Sequence, residues 1–416
     1  MEVLSSEDMV ITEQPVVTLR YLFLKFFKIG MVSFGGYMAL VAMIQREMVE
    51  KDQVLEQDVI TDAISIASLL PGPLAVNIVA YIGYYVKNKT GAAIAVLGVL
   101  LPASVAMLIL SWCYYSYAYK THWNEVLFYT AGAVAGIILT AGINIYKKEV
   151  KGNLLKNALC ALSLILIIFI KSYLVTLALI VFGGLIGYFL KLDKPATANN
   201  GVVNQSTSKL FLNWKIKTAA VLLVLIEASY IFNLGQYFQN IYLKISLVFS
   251  GISLSLFGGG YVMIPIMQSL LVGNLKWLSS TEFLDCIAFS QLTPGPILVS
   301  SIFVGYKLTG ITGAAVALLA TFGPSAILMV MVSKLFAVHK NNQWLKNALA
   351  GIKPVVVGLI IASAYKLLQS VPLNLFVIII CAITFFVSFK YKVSPVYMIL
   401  SSLVLGICLT IFHYNI

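Results

Sequence analysis

Apolar stretches separated by short polar connections run along nearly the whole chain, and two of them are cut at matching places, by Pro71-Gly72-Pro73 and by Pro294-Gly295-Pro296. Proline lacks an amide donor and disfavours helix in the residue before it, so each Pro-Gly-Pro ends one helix and its last proline is placed to start another. In hydrocarbon the freed backbone groups need partners from protein or trapped water, so such a break belongs at a cavity or a protein-buried site.

The pattern predicts an apolar segment at 16–30, carrying Lys25 and Lys28, that runs into Ser33-Phe34-Gly35-Gly36. A second piece at 37–44 leads to a charged loop at 46–58. Helices at 59–70 and 74–86 flank the first break, each shorter than the roughly 20 apolar residues of a full span. Segments 91–119, 126–146, 154–170 and 172–190 are spanning candidates, and 191–209 reads as a linker, with Asn199-Asn200-Gly201 at its centre.

The order then repeats. Phe34, Asp62 and Pro71 match Phe257, Asp285 and Pro294 at an offset of 223; Gly83, Gly91 and Pro102 match Gly305, Gly313 and Pro324 at an offset of 222. The reading is a first transporter repeat at 1–190, a linker with an unmatched helix at 191–235 (apolar from 216 to 232), and a second repeat at 236–416. Corresponding connections carry opposite charge bias: Lys147, Lys148, Lys151 and Lys156 in one against Lys366 in its counterpart, and Lys120 against Lys334, Lys340 and Lys346. By the positive-inside rule the copies are inverted, with the N-terminus cytoplasmic and the C-terminus outside. The expected fold is therefore an all-α polytopic membrane protein of two inverted-topology repeats with broken or re-entrant helices, joined by an extra linking transmembrane helix. The short pieces either cross, giving thirteen spans, or form hairpins, giving nine; their length favours hairpins.

Composition agrees: 60% of the 416 residues are hydrophobic and 11% charged, with mean hydropathy +0.94, outside the range of soluble domains. The net charge of +12 is spread over short connections, which suits anionic headgroups and not nucleic acid. The polar, acidic residues 1–14 lack the features of a signal peptide, so the first helix is expected to be retained. Cys113, Cys160, Cys286, Cys381 and Cys408 stand apart from one another with no CxxC spacing, and read as packing residues without metal or disulfide roles. No metal-ligand spacing, catalytic constellation or P-loop is present; no cofactor is expected, and the protein is not read as an enzyme or an ATP-driven pump.

At a break, the first amides of the downstream half-helix are unpaired and carry the positive end of the helix dipole, which binds anions without a cationic side chain. Paired breaks in two halves mark a transporter's site. The substrate site is therefore expected at Pro71, Gly72, Pro73 and Asn77 with Pro294, Gly295, Pro296 and Ser300, near the membrane midplane, with Gln291 and Thr293 just before the second break. Ser33, Gly35 and Gly36, with Gly258, Gly259 and Gly260, would bring exposed backbone to the same cavity. The plain alternatives are a packing kink at each Pro-Gly-Pro and close helix packing at the glycines. Asp62 and Asp285, each nine residues before its break, are expected to couple transport to a proton or ion; otherwise they cap helix starts at the interface. Lys25 and Arg46 read as interfacial anchors that could also draw an anion inward.

With these residues in hand, the sequence resembles the chromate ion transporter family in its fused two-domain form. The resemblance lies in Phe26-x-x-x-Gly30-x-x-Ser33-Phe34-Gly35-Gly36, Leu70-Pro71-Gly72-Pro73, Gly83-Tyr84, Gly91-Ala92, Leu101-Pro102 and their second-half equivalents. It implies secondary export of chromate, with sulfate as a related ligand, across the bacterial plasma membrane. The chain departs from the family pattern at Tyr37 and Gly260, where proline often follows the glycines, and at Val54 and Ser68, where tryptophan and glutamine are common. The partners expected are a small inorganic oxyanion and the bilayer; a homodimer is left open. An anion channel built from the same half-helices is the alternative function, and an intramembrane enzyme or assembly scaffold is the third class.

Overall fold

The structure is a computed structural model, and it describes residues 17–34, 37–117, 123–170, 173–192, 239–256, 260–336, 343–369, 371 and 374–414. Every regular element among them is helical. The first copy contains α1 (Leu19–Val32), α2 (Tyr37–Ile44), α3 (Gln57–Leu69), α4 (Leu74–Tyr117), α5 (Trp123–Ile145), α6 (Leu154–Phe169) and α7 (Tyr173–Phe189). The second contains α8 (Ile241–Leu254), α9 (Met263–Met267), α10 (Ser280–Leu292), α11 (Ser300–Phe336), α12 (Gln343–Gln369), α13 (Leu375–Tyr391) and α14 (Pro395–Tyr414). Four helical stretches are long and apolar enough to cross a membrane and five more are shorter but apolar, as expected of an all-α polytopic membrane protein. The linker from residue 193 on, the unmatched helix at 216–232, Gly35, Gly36, Gly258 and Gly259 lie outside the described residues.

Matched sequence yields matched local structure. Asn153 caps α6 by accepting from the Leu155 and Lys156 amides, and Asn374 caps α13 by accepting from the Phe376 amide. The charged 46–58 stretch begins as helix, because α2 continues into a π-helical turn at Gln45–Lys51; the turn Gln268–Asn274 does the same after α9. Charged side chains are sound helix formers once they leave hydrocarbon. Neither aspartate caps a helix: α3 starts at Gln57 and α10 at Ser280, where Ser279 and Glu282 form a capping box.

The long α4 and α11 are each two helices. Backbone dihedrals leave the helical region at Lys87 and Asn88 in α4, and at Thr309 and Gly310 in α11, with nearly identical values. A methyl on Gly83 would lie 2.5 Å from the Gly91 carbonyl oxygen, and one on Gly305 would lie 2.3 Å from that of Gly313. Residues eight apart in a straight helix are about 12 Å apart, so the chain folds back on itself here, and glycine permits the backbone contact. The piece from Leu74 to the turn is thus too short for a full span, as its length predicted.

The copies are packed into each other. α5 lies against α13 and α14, while α12 lies against α6 and α7, and α4 lies against α11. Gly136 sits on the Cys381 carbonyl and Gly358 on the Cys160 carbonyl, so close that a methyl added to either would lie 2.8 and 2.4 Å, respectively, from the oxygen. Small residues at these crossings let backbones approach, which is how membrane helices associate without a hydrophobic driving force. One continuous buried cluster runs from Leu22 in the first copy to Ile399 in the second. Large side chains such as Ile109, Leu162, Phe182 and Ile383 remain on the outside, the arrangement a lipid solvent favours.

Candidate functional site

At each break the glycine has a backbone that side chains rarely adopt: φ is +117° at Gly72 and +118° at Gly295. The Gly72 amide donates to the Leu256 carbonyl at 2.8 Å and the Gly295 amide donates to the Ser33 carbonyl at 3.0 Å. Ser33 and Leu256 correspond at the 223 offset, as do the two glycines. The surroundings match as well: a methyl on Gly72 would lie 2.3 Å from Ser325 Cβ, and one on Gly295 would lie 3.1 Å from Ala103 Cβ. Each break is therefore held by the other copy, which satisfies amides that would cost about 1–3 kcal/mol each if buried unpaired.

Just beyond the two breaks lies a cavity of about 380 Å³. Its walls include Pro73, Leu74 and Ala75 from the first break and Pro296, Ile297 and Leu298 from the second. Leu74 begins α4, and Ile297–Val299 is a 3₁₀ turn leading into α11, so first-turn amides without intrahelical acceptors come from both copies. Tyr37, Gly260 and Tyr261 close another side, and Asn144, Lys148, Glu149 and Lys353 supply polar and charged groups. Lys353 Nζ donates to Glu149 Oε2 at 2.8 Å. At about 30 Å³ per water molecule, the cavity has room for a tetrahedral oxyanion and part of its hydration shell.

Of the residues expected at the site, Pro73, Gly260 and Pro296 line this cavity. Asn77 is fully buried; its amide nitrogen donates to the Pro71 carbonyl at 3.3 Å, bracing the break, and its Oδ1 has no partner. Gln291 is buried behind the wall, where its Oε1 accepts from the Tyr261 hydroxyl at 3.5 Å while its Nε2 is unpartnered. Ser33 offers its carbonyl to Gly295, its own hydroxyl being bonded to the Ile29 carbonyl at 2.6 Å. Thr293 donates to the Ser290 carbonyl and Ser300 to the Met267 sulfur, so neither hydroxyl reaches the cavity. Pro71 and Pro294 shape the breaks from outside its walls.

The aspartates are elsewhere. Asp285 is 6% exposed and accepts from the Tyr114 hydroxyl of the first copy at 2.8 Å. It lines a separate cavity of about 340 Å³ with Glu282 and Lys307, which pair at 2.7 Å. Asp62 is partly buried on α3. A third cavity, about 950 Å³, lies between α4 and α11 and is walled by leucines, alanines and phenylalanine with Tyr84, Lys89 and Ser104; so apolar a lining suits acyl chains better than an oxyanion.

Lys25 is committed to partners, contacting Glu47 at 2.9 Å and Asp52 at 2.7 Å, while Lys28 reaches Glu47 at 3.1 Å. Tyr21 adds a hydroxyl to Asp52. The hydrogen bonds from Lys25 and Lys28 hold the Glu47 carboxyl well below its ordinary range, at about 2. This network ties α1 to the turn after α2.

Sequence reasoning missed Lys353, Glu149, Tyr261 and Asn144. One signal was there: Lys353 interrupts the apolar run of α12 next to Pro354, and a charge within a membrane helix is by default functional.

Comparison with known proteins follows the same division of the chain. The family model described as "Chromate transporter" matches residues 20–188 and again 243–407. The chain is 25% identical over 379 residues to the "Chromate transport protein" of Cupriavidus metallidurans, covering 91% of this chain and 90% of that protein. It is 28% identical over 363 residues to the "Chromate transport protein" of Pseudomonas aeruginosa, covering 85% and 82% respectively. A Bacillus subtilis protein described as an uncharacterized transporter is 26% identical over 161 residues, which make up 86% of its length and 36% of this chain's. No solved structure matches the chain.

Proposed function

The chain belongs to the chromate transporter family, a family of membrane transport and not of enzymes, and from that premise we propose that it is a secondary transporter of chromate or a sulfate-like oxyanion, working by alternating access. The observation that carries this reading is the 380 Å³ cavity walled by the residues following both breaks. Two half-helix N-termini converge there, and the aligned peptide dipoles of each favour negative charge.

The copies are inverted in this reading. The reciprocal bonds from Gly72 to Leu256 and from Gly295 to Ser33 are what a two-fold axis between them would generate, and the charge bias of the connections sets that axis in the membrane plane. The π-helical turn Tyr146–Val150 that follows α5, with Lys147 and Lys148, then lies on the cytoplasmic side with the N-terminus, and the C-terminus lies outside. Lys148 lines the cavity and is exposed, so in this reading the cavity opens towards the cytoplasmic side. Asp285, and Asp62 at the matching position, are the coupling groups; a buried carboxylate whose partner is a neutral tyrosine is suited to carrying a proton.

The test is uptake of radiolabelled chromate and sulfate into proteoliposomes of known orientation, with and without an imposed potential or pH gradient. Saturable flux driven uphill, and abolished by disrupting Pro-Gly-Pro in either copy, is expected. Flux that never saturates and only runs downhill would point to a channel. Failure of either anion to move or compete would overturn the substrate.

A further inference from the structure

We infer that Lys353 is the counter-charge for the transported oxyanion, and that Glu149 occupies its ammonium when the cavity is empty, so that anion and carboxylate exchange on one lysine. The inference rests on the cavity between the breaks being the substrate site, and adds a residue that helix dipoles alone do not supply.

Lys353 lies between Ile352 and Pro354 on a helix that is apolar for several turns on its C-terminal side. Removing an ammonium from water is tolerable only if it faces a wet cavity or a partner, and here it has both. Its side chain is 39% exposed and that of Glu149 is 24% exposed, and both face the space that the two half-helix N-termini share. The other polar and titratable groups facing that space are Lys148 and Asn144 beside Glu149, Tyr37 from α2 and Tyr261 across from it. Lys148 lines the space too but is exposed, whereas Lys353 is partly buried and holds Glu149 at 2.8 Å, which makes Lys353 the better-placed cation.

The charge is also one-sided. The 222 offset that pairs Gly136 with Gly358 pairs Lys353 with Ala131, so the first copy offers no equivalent. A dianion needs more compensation than two partial helix charges of about half a unit each; one full positive charge from Lys353 provides it. When no anion is bound, Glu149 keeps the ammonium from being an uncompensated charge. An entering oxyanion must therefore displace the carboxylate, and its departure restores the ion pair.

The alternative is a latch, in which the pair merely fastens the end of α5 to α12. Isothermal titration of the full-length purified protein with sodium chromate and sodium sulfate separates the two, using Glu149→Gln, Lys353→Met, Lys353→Arg and the double variant Lys353→Met/Glu149→Gln. Exchange on Lys353 predicts that Glu149→Gln tightens binding about tenfold, Lys353→Met weakens it about tenfold or more, Lys353→Arg stays within about threefold, and the double variant remains weak. Lys353→Arg keeps the charge, so it reports even if Lys353→Met fails to fold. If Lys353→Met binds as wild type does, or if both single variants weaken binding and the double variant recovers it, Lys353 is not the counter-charge although the site itself stands. If the folded wild type binds neither anion, the site reading falls and the inference with it.

Discussion

The amide of Gly72, in the first copy, donates to the carbonyl of Leu256, in the second, at 2.8 Å, and Gly295 repeats the bond to Ser33. The two breaks are thus parts of one structure that neither copy could build alone. Yet they differ in room. Gly72→Ala adds positive-φ strain and a 2.3 Å collision with Ser325 Cβ, whereas Gly295→Ala adds the same strain but meets Ala103 Cβ at 3.1 Å. Thermal unfolding in detergent should show a loss of about 3 kcal/mol or more for Gly72→Ala and about 2 kcal/mol for Gly295→Ala. Ser325→Gly should recover part of the first loss and none of the second.

Asp285 accepts from Tyr114 across the copies. If it carries the coupling proton, Asp285→Asn abolishes uptake driven by a pH gradient while anion exchange under equal pH continues. Tyr114→Phe, which leaves the carboxylate in place, should reduce the gradient-driven rate without abolishing it. Unchanged gradient-driven uptake in Asp285→Asn would remove the aspartate from the mechanism.

Gln291 offers a sharper contrast between structure and function. Its Nε2 is buried without a partner while its Oε1 accepts from the Tyr261 hydroxyl at 3.5 Å, so Gln291→Leu removes an unsatisfied donor and one long hydrogen bond together, and stability should change by less than about 1 kcal/mol. If that donor serves the anion through the Tyr261 wall, transport falls in the same variant. Equal transport in Gln291→Leu and wild type would reduce Gln291 to packing.

The Lys25–Glu47–Lys28 network predicts an acid limb. The folded-state value of Glu47, about 2, is below that of the unfolded chain, about 4.3. Its contribution is therefore fully present above about pH 4.3 and is lost as pH falls towards about 2. Unfolding midpoints measured over this window should decline in wild type, and Glu47→Gln should start lower and decline less.

Inversion can be read directly. Lys89 and Ile311 correspond at the 222 offset, and both are exposed at the turns that divide α4 and α11. In a background with the exposed Cys113 and Cys408 replaced, Lys89→Cys and Ile311→Cys should react with a membrane-impermeant maleimide from opposite sides. Labelling from the same side would make the copies parallel.

The sequence by itself determined the membrane class, the helix starts and the breaks. These are local matters: mean hydropathy, the missing proline amide and the capping side chains act within a few residues, and the repeat doubles each signal. It also pointed to the backbone of the two breaks, and Pro73 and Pro296 line one cavity. What it did not hold was the partner of each group. Ser33, Thr293 and Ser300 have the right chemistry and the right register, but their hydroxyls are bonded to Ile29, Ser290 and Met267. Lys353 and Glu149 are 204 residues apart and belong to segments that are ordinary when read singly. Only the exchange of helices between copies, α5 against α13 and α14 and α12 against α6 and α7, brings them together. Side-chain direction and long-range pairing depend on how helices cross, and a crossing is a property of two surfaces at once, which no window of sequence contains.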